Sequence, residues 1–362
     1  MFDQKYVTDY SAAERWIWLS GYSRIEGSEG MKKKGVVVLV AAAILLSVLP
    51  LASCTKPAVP EKAEQLRIGF FPDPICALIY IGQEQGFFKR HGLDLAIANY
   101  QAGAYAVNDL VADKLDVATA TGFVLAIQGF KRPDLRAIGT ISSADTNEIV
   151  ARTDRGIKKP ADLRGKLIGV SKGTANEFFL TTFLSFNDIL PGEVRTIDLN
   201  PADLVTVLSE GKIDAAVCFP PYSDTMKKNL PDRTVSWPVQ GGQDYYFLMI
   251  TKDDLIKTRP LAIIGLLKGA LDAEDFLKRH ESEAQAIVER SLGLDHASVA
   301  STWSKTRFRV RLDQALLTRM EDYARWAVQN RLVKAENIPI YLPFLYLEGL
   351  GKLKPDAIGV VH

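Results

Sequence analysis

The chain repeats a nine-residue pattern, LVADKLDVA at residues 110–118 and LSEGKIDAA at residues 208–216. Both copies fit Leu-x-x-x-Lys-(Leu/Ile)-Asp-x-Ala, and they begin 98 residues apart. A second pair of similar segments, IGFF at 68–71 and IGVS at 168–171, begins 100 residues apart. Two recurrences at nearly the same offset predict two lobes of one design. Each lobe is expected to contain a strand, a helix, a second helix that ends near the Lys-x-Asp, and a further strand.

Short apolar runs alternate with helical patterns along the chain, which is typical of βαβ units and a mainly parallel sheet. LRIGFF at residues 66–71 predicts the first strand, and PDP at 72–74 breaks it. Residues 75–86 predict the helix that follows. After a Gly-Gly turn, YYFLMIT at 245–251 predicts a buried strand.

The C-terminal part of the chain is predicted to be helical. Asp253, Asp254 and Pro260 are helix start signals. A later helix is predicted over roughly residues 313–332. The face of that helix assigned to the core carries Leu316, Met320, Tyr323 and Ala327.

An export signal is predicted near the N-terminus. Three lysines at 32–34 precede an apolar run at 35–49, and LASC follows at 51–54. A transmembrane helix is the alternative interpretation. A membrane span needs about 20 apolar residues, however, and Pro50 ends this run early.

The segment LASC at 51–54 resembles the bacterial lipobox, in which a signal peptidase cuts before a cysteine that becomes lipid-modified. The resemblance implies a signal peptide at 31–53 and a mature, exported chain anchored to the cell membrane through lipid on Cys54. Residues 1–30 are then an extension from an upstream start codon or a short cytoplasmic tail. Residues 54–65 contain two prolines and alternating lysine and glutamate, which predicts a tether.

The composition excludes several function classes. With 44 basic and 43 acidic residues, the formal charge of +1 gives no sign of a nucleic-acid surface. Apart from Cys54, Cys76 and Cys218 are too few for a disulfide framework, and we expect both to be small buried thiols, with a contact to bound solute as the alternative. The four histidines are scattered, so neither a metal site nor a cofactor is expected.

Several motifs between the repeats point to a known family. They are FFP at 70–72, YIGQEQGFF at 80–88, GLDL at 92–95, DLRGKLIGV at 162–170 and KGT at 172–174. In this order, and with the two Lys-x-Asp repeats, they resemble the substrate-binding proteins of nitrate, sulfonate, taurine and thiamine-pyrimidine ABC importers over residues 66–276.

The resemblance implies an α/β fold, the two-lobe clamshell of type II periplasmic binding proteins. Each lobe would be a mainly parallel sheet flanked by helices, with interlobe crossings near 148–152 and 240–244. The implied organisation is 66–150 for the first part of lobe one, 151–243 for lobe two, and 244–362 for the return strand and the C-terminal helices of lobe one.

Ligands of open α/β sheets bind beyond the carboxyl ends of the strands, near helix N-termini. Four loops are predicted to meet there, two from each lobe. The candidate ligand-binding residues in these loops are Phe71, Asp73, Thr121, Gly122, Phe123, Ser171, Lys172, Gly173, Thr174, Ala175, Asn176, Phe219, Pro221 and Tyr222.

The turn at 171–176 combines a glycine, two hydroxyls and a helix start, which suits an oxyanion; an ordinary helix cap is the alternative. The candidate aromatic residues would supply apolar walls or pack in the core. Asp73 would repel an anion, so it either bonds a ligand amine or caps the next helix.

The sequence predicts a lipid-anchored, monomeric solute-binding protein on the periplasmic or extracellular side. It would capture a small solute by lobe closure and deliver it to an ABC permease and its ATPase, without chemistry of its own. Lys172 without clustered arginines argues against a highly charged ligand and leaves sulfonates, nitrate, carboxylates and pyrimidines open. A ligand sensor for a signalling partner and an enzyme on the same fold are the alternatives.

Overall fold

The computed structural model of the protein describes residues 63–361. The predicted upstream extension, the signal peptide, the lipidation residue Cys54 and most of the tether therefore lie outside the described residues. Among those described, no helix combines the length and the apolar composition that a membrane span requires.

The strands and helices are numbered in chain order. The strands are β1 (Glu64–Phe70), β2 (Leu93–Asn99), β3 (Val117–Thr121), β4 (Leu135–Ala144), β5 (Glu148–Arg152), β6 (Leu167–Val170), β7 (Arg195–Asp198), β8 (Ala215–Cys218), β9 (Thr234–Pro238), β10 (Tyr245–Lys252), β11 (Thr306–Arg307), β12 (Leu312–Asp313) and β13 (Ile358–Gly359). The α-helices are α1 (Ala77–Glu84), α2 (Phe87–Arg90), α3 (Gly103–Val111), α4 (Gly122–Gly129), α5 (Ala175–Phe186), α6 (Pro201–Ser209), α7 (Tyr222–Asn229), α8 (Asp253–Thr258), α9 (Pro260–Arg279), α10 (Glu281–Leu292), α11 (His296–Trp303), α12 (Gln314–Gln329) and α13 (Leu347–Leu353). Short 3₁₀ helices cover Pro74–Cys76, Thr153–Arg155, Pro160–Leu163, Pro191–Glu193, Leu342–Phe344 and Pro355–Ala357.

The two predicted lobes contain sheets of matching topology. The order is β2-β1-β3-β10-β4-β11 in the first lobe and β7-β6-β8-β5-β9 in the second. In each, a central strand pairs in parallel with two neighbours, and the next strand is antiparallel. This confirms the α/β clamshell fold. The first strand begins at Glu64, two residues before the predicted start.

The repeated sequence pattern has a structural cause in both lobes. The aspartate that ends each Lys-x-Asp accepts a hydrogen bond at 2.8 Å from a backbone N–H of the central strand: Asp116 from Arg67, and Asp214 from Leu167. The same aspartate donates its own N–H back to the carbonyl of that residue at 2.9 Å. The repeat therefore joins the third strand of each lobe to the central one.

A glycine in each central strand makes room for the apolar residue of the repeat. A Cβ atom on Gly69 would lie 2.4 Å from the Leu115 side chain, and one on Gly169 would lie 2.7 Å from that of Ile213. Such separations are too short for a contact between two carbon atoms. A larger residue at either glycine would therefore displace the segment that carries Leu115 or Ile213. The pattern is thus a packing motif.

Each repeat contains one strand more than its pattern predicts. β2 and β7 lie between the two helices of their lobes and form sheet edges. All four residues of β7 are exposed, and β2 is buried only at alternate positions in its first half. Neither segment has the continuous apolar run that marked the other strands.

Gln240 connects the two interlobe crossings, which run through 145–147 and 239–244. Its side-chain Oε1 accepts hydrogen bonds from the backbone N–H groups of Thr146 and Asn147, at 3.0 and 2.9 Å. Its Nε2 donates to the carbonyls of Ala144 and Gln243. The first of these segments precedes β5 (Glu148–Arg152), and the second overlaps the crossing expected near 240–244. The lobe boundaries themselves stay predictions.

The C-terminal helices pack mainly on the first lobe. α12 buries the four residues assigned to its core face, as predicted. It also reaches the second lobe, because the ring of Phe178 on α5 lies 4.8 Å from Tyr323 and 5.7 Å from Trp326, centroid to centroid. This aromatic contact thus links the two lobes in addition to the two chain crossings.

Candidate functional site

A small cavity lies between the lobes, where the carboxyl ends of β1 and β3 face the N-terminus of α5. The volume of the cavity is about 50 Å³. Its lining residues are Phe71, Ile75, Ala102, Gly103, Ala104, Thr121, Val124, Asn147, Thr174, Ala175, Asn176, Phe219, Tyr245 and Phe247. Both lobes and the first crossing therefore contribute to one cavity.

The structure brings six of the predicted site residues to this cavity. They are Phe71, Thr121, Thr174, Ala175, Asn176 and Phe219. All four predicted loops are represented among them. The remaining candidates lie beside the cavity, in the core or on the surface.

Aromatic rings from the two lobes meet at one side of the cavity. The ring of Phe71 in lobe one lies 5.2 Å from that of Phe219 and 6.0 Å from that of Tyr222, both in lobe two. Phe71 is 5% exposed. Tyr222, with Pro221 at the start of its helix, thus holds the aromatic side of the cleft without lining the cavity itself.

Two asparagines form the polar end of the cavity. The Asn147 side chain on the first crossing donates from Nδ2 to Oδ1 of Asn176 at 2.5 Å. Asn176 is 1% exposed, and its Nδ2 has no hydrogen-bond partner among the described residues. Since buried polar groups are normally paired, this Nδ2 is a donor available to a bound molecule.

Thr121 supplies a second unpaired group from the opposite lobe. Its hydroxyl is buried and has no hydrogen-bond partner within residues 63–361. A hydroxyl both donates and accepts, so it can bond either kind of ligand atom. The neighbouring Tyr245 is less available, because its hydroxyl already lies 3.2 Å from that of Thr146.

The predicted oxyanion turn is largely satisfied by its own neighbours. The Thr174 hydroxyl caps α5 by accepting from the N–H of Asn176, and it donates to the carbonyl of Ser171. The Ser171 hydroxyl donates to Leu199, and the N–H of Gly173 donates to the Glu177 carboxylate. The helix-cap alternative therefore describes most of this turn.

Lys172 and Gly173 do not line the cavity. Both are exposed, and Lys172 lines a separate surface depression with Trp326. Gly173 has φ of +72°, and nothing lies within 4 Å of where its Cβ would be. Glycine is needed there for its backbone conformation.

Gly122 and Phe123 also face elsewhere. Phe123 is fully buried, and its ring contacts Tyr323 and Trp326 of α12. A Cβ on Gly122 would face Leu316 of the same helix. These residues begin α4, whose first turn packs under α12. The core-packing alternative therefore holds for Phe123.

Asp73 is buried beside the cavity, between the lining residues Phe71 and Ile75. It is 3% exposed, and its Oδ1 accepts from the N–H of Ile75 at 2.9 Å, which makes it the cap of the following 3₁₀ helix. Burial raises the pKa of Asp73 to about 7, and repulsion from Asp224 in the other lobe adds to that rise. The hydrogen bond from Ile75 acts in the opposite direction.

The two cysteines of the described chain are buried free thiols, as predicted. Burial raises the pKa of Cys76 well above its usual value and that of Cys218 to about 12. Cys76 donates its thiol hydrogen to the carbonyl of Phe71 at 3.3 Å. Neither thiol is positioned as a nucleophile at neutral pH, because the thiolate is the reactive form.

Several lining residues were missed from the sequence. They are Ile75, Ala102, Gly103, Ala104, Val124, Asn147, Tyr245 and Phe247. Asn147 and Tyr245 lie next to the two predicted crossings, so the position of those crossings was the signal that could have identified both residues. Ala102, Gly103 and Ala104 lie at the start of α3, after β2. They were missed because β2, an edge strand, was not predicted from the sequence.

The lining set is uncharged. It contains no lysine, arginine, histidine, aspartate or glutamate. Across residues 63–361, no cluster of three histidine, cysteine or acidic side chains could hold a metal ion. The geometry thus suits a small molecule recognised by hydrogen bonds and aromatic contact.

Two relatives illustrate how the sequence compares with known proteins. A putative aliphatic sulfonates-binding protein of Bacillus subtilis is 27% identical over 76% of this chain and 83% of its own length. A putative binding protein of Brucella abortus is 24% identical over 65% of this chain and 73% of its own. These relatives are described as binding proteins.

Solved structures share the fold. The alkanesulfonate-binding protein SsuA from Xanthomonas axonopodis pv. citri superimposes with a TM-score of 0.67 at 16% identity, over 79% of this chain and 99% of that protein. The desulfurization enzyme DSZB superimposes with a TM-score of 0.61 at 17% identity, over 80% and 98% of the two chains. The fold thus occurs in both binding proteins and enzymes.

A family model described as NMT1/THI5 like matches residues 73–284, which is more than half of the chain. The matched region contains both copies of the Lys-x-Asp pattern and almost the whole cavity lining. The chain belongs to the NMT1/THI5-like family.

Proposed function

We propose that this protein is a solute-binding protein that captures one small molecule between its lobes and delivers it to an ABC importer. The observation that carries the proposal is the interlobe cavity, with unpaired groups of Asn176 and Thr121 on opposite lobes. A ligand that bonds both would hold the lobes together. Lobe closure is the working step of such proteins.

The solute is small and carries at most one net charge. The cavity has a volume of only about 50 Å³, and its lining has no charged side chain. Sulfonate-like, taurine-like, nitrate-like and pyrimidine-like solutes fall within these limits. Binding and transfer involve no bond chemistry in this proposal, consistent with the buried, protonated thiols.

Anchoring belongs to the same proposal. The export signal and LASC at 51–54 support attachment to the membrane through lipid on Cys54, facing the periplasm or the outside. Labelled fatty acid should enter the protein, and Cys54→Ala should abolish the labelling. Equal labelling of the variant would refute the anchor.

A thermal-shift screen against sulfonates, nitrate, carboxylates and pyrimidines tests solute binding. A ligand that binds only the folded state stabilises it by about 2.7 kcal/mol at a hundredfold excess over Kd. Solution scattering at saturating ligand should then show a smaller radius of gyration, and an unchanged curve would count against lobe closure. Failure of every solute class to raise the melting temperature would count against the proposal.

A further inference from the structure

Asn147 joins the first crossing to the cavity. Its backbone N–H donates to Oε1 of Gln240 at 2.9 Å, and its carbonyl accepts from the N–H of Val239 at 3.1 Å, so both crossings hold it in place. Its side chain is buried, lines the cavity, and donates from Nδ2 to Oδ1 of Asn176. The residue that is fixed by the crossings therefore also contacts the polar end of the cavity.

The orientation of the Asn176 amide decides which solute atom it can bind. An asparagine side chain has an oxygen that accepts and an NH₂ group that donates, and its hydrogen-bond network settles which of the two faces a ligand. The bond from Asn147 occupies Oδ1 of Asn176. Nδ2 is left without a partner among the described residues, although Asn176 is buried and lines the cavity. The amide therefore offers a donor to the solute.

Two buried hydroxyl groups behind Asn147 fix the direction of this bond. The Thr146 hydroxyl donates to Oδ1 of Asn147 over 3.5 Å, and the Tyr245 hydroxyl lies 3.2 Å from that of Thr146. Since Thr146 has a single hydroxyl hydrogen, Tyr245 is the donor in the second contact. The bonds therefore all run one way, from Tyr245 towards Asn176, and in a buried chain each bond polarises and strengthens the next.

We propose that Asn147 is a positioning residue that holds the Asn176 amide with its donor towards the solute. The inference rests on the proposed function and narrows its substrate class. The solute presents an acceptor without a hydrogen at this end of the cavity, such as an oxyanion or carbonyl oxygen or an unprotonated ring nitrogen. Groups that offer only N–H donors there, such as amidinium and guanidinium ions, are rejected, because two donors cannot form a hydrogen bond.

Asn147→Asp tests the inference in the solute-free protein. An ionised carboxylate accepts but cannot donate, so the Asn176 amide should rotate and donate from Nδ2 to the new side chain. Aspartate matches asparagine in shape, and the start of α5 favours negative charge, so the variant should fold. In ¹⁵N–¹H spectra at neutral pH, the Asn176 NH₂ signals should move downfield and exchange more slowly with water.

Two further variants control this measurement. Asn176→Ala identifies the NH₂ signals by their loss. Asn187→Asp makes the same change in charge at the other end of α5 and should leave the Asn176 signals in place.

Two probes of the same shape but opposite hydrogen-bonding character test the specificity. Acetate offers acceptors, and acetamidinium offers donors. In calorimetry, acetate should bind the wild type at least ~10-fold more tightly, the lower end for a hydrogen bond to a charged group, and Asn147→Asp should abolish or reverse this preference. Asn147→Ala, which frees the Asn176 amide without adding charge, should reduce the preference and serves if the charged variant does not fold.

Negative charge at position 147 by itself also favours the cationic probe. The effect of Asn147→Asp is therefore measured again in the Asn176→Ala background. A change in preference that acts through the Asn176 amide should be much smaller in that background than in the wild type.

Unchanged Asn176 signals in folded Asn147→Asp would overturn the inference, as would a preference for acetate that both Asn147 variants keep. An effect of equal size with and without the Asn176 amide would overturn it as well. If neither probe binds, the amide signals alone decide the inference. Each of these results leaves solute binding in place, whereas failure of the whole solute screen would contradict the proposed function.

Discussion

The ring of Phe71 stacks on the ring of Tyr222 across the cleft, with centroids 6.0 Å apart and planes 21° from parallel. Phe71 ends the first strand of lobe one, and Tyr222 opens α7 of lobe two. Phe219 completes the cluster with edge-on contacts to both rings. The lobes therefore contact each other directly on this side of the cavity.

Removing the Tyr222 ring should weaken solute binding. Aromatic pairs contribute about 0.5–1.5 kcal/mol each beyond the area they bury, so Tyr222→Ala should lower affinity by roughly 2- to 10-fold by disfavouring the closed form. Tyr222→Phe keeps the ring and is the matched control. Calorimetry on the two variants measures the difference; equal affinities would show that the stack does not support closure.

Asn176→Ala should remove the donor at the polar end of the cavity. The loss is about 0.5–1.5 kcal/mol for a neutral acceptor and about 1.5–3 kcal/mol for a charged one. Asn187→Ala is a suitable control, because this asparagine lies at the other end of α5 and donates to the carbonyl of Phe183. If both variants bind the solute with wild-type affinity, Asn176 is only a structural partner of Asn147.

Thr174→Ala should lower stability by about 1 kcal/mol, the usual cost of losing an N-cap. Asn200→Ala removes the corresponding cap of α6 in the same lobe and should cost a similar amount. Since Thr174 also lines the cavity, only its variant should weaken binding. Chemical unfolding and calorimetry together separate the two effects; unchanged affinity in Thr174→Ala would reduce its role to that of a cap.

Stability should depend on pH through Asp73. The pKa of Asp73 is about 7 in the folded protein, and the reference pKa for the unfolded chain is 3.8. The folded state therefore binds the Asp73 proton more tightly than the unfolded chain does. The stability that this protonation adds to the folded protein is fully present below pH 4 and is lost as pH rises through 7.

Asp73→Asn should consequently be more stable than the wild type at pH 8, by roughly 4 kcal/mol at most, at 1.36 kcal/mol for each pKa unit. The gap should shrink towards pH 4, where both side chains are neutral. Unfolding curves across this range measure it. A gap that does not change with pH would show that Asp73 ionises normally in the unliganded protein.

The fold was largely predictable because the repeat reports a packing requirement. Asp116 and Asp214 tie neighbouring strands together, and Gly69 and Gly169 admit the apolar residue beside each aspartate. Such constraints leave a fixed pattern in the sequence. The edge strand β7 carries none, since its residues are all exposed.

The site was less predictable, because loop position does not determine the direction of a side chain. Thr121 and Phe123 come from one predicted loop, yet the first lines the cavity and the second packs under α12. Asn147 was missed because it belongs to a crossing, and only its hydrogen bond to Asn176 brings it to the site.

The central claim is that the interlobe cavity binds the solute, and calorimetry on a cavity-filling variant tests it most directly. Ala104 lines the cavity and is only partly buried, so Ala104→Phe should occupy the space and keep the fold. Ala315→Phe, at an exposed position of α12, is the control. We predict one solute bound per chain in the wild type and the control, and none in Ala104→Phe; wild-type affinity in a folded Ala104→Phe would contradict the claim.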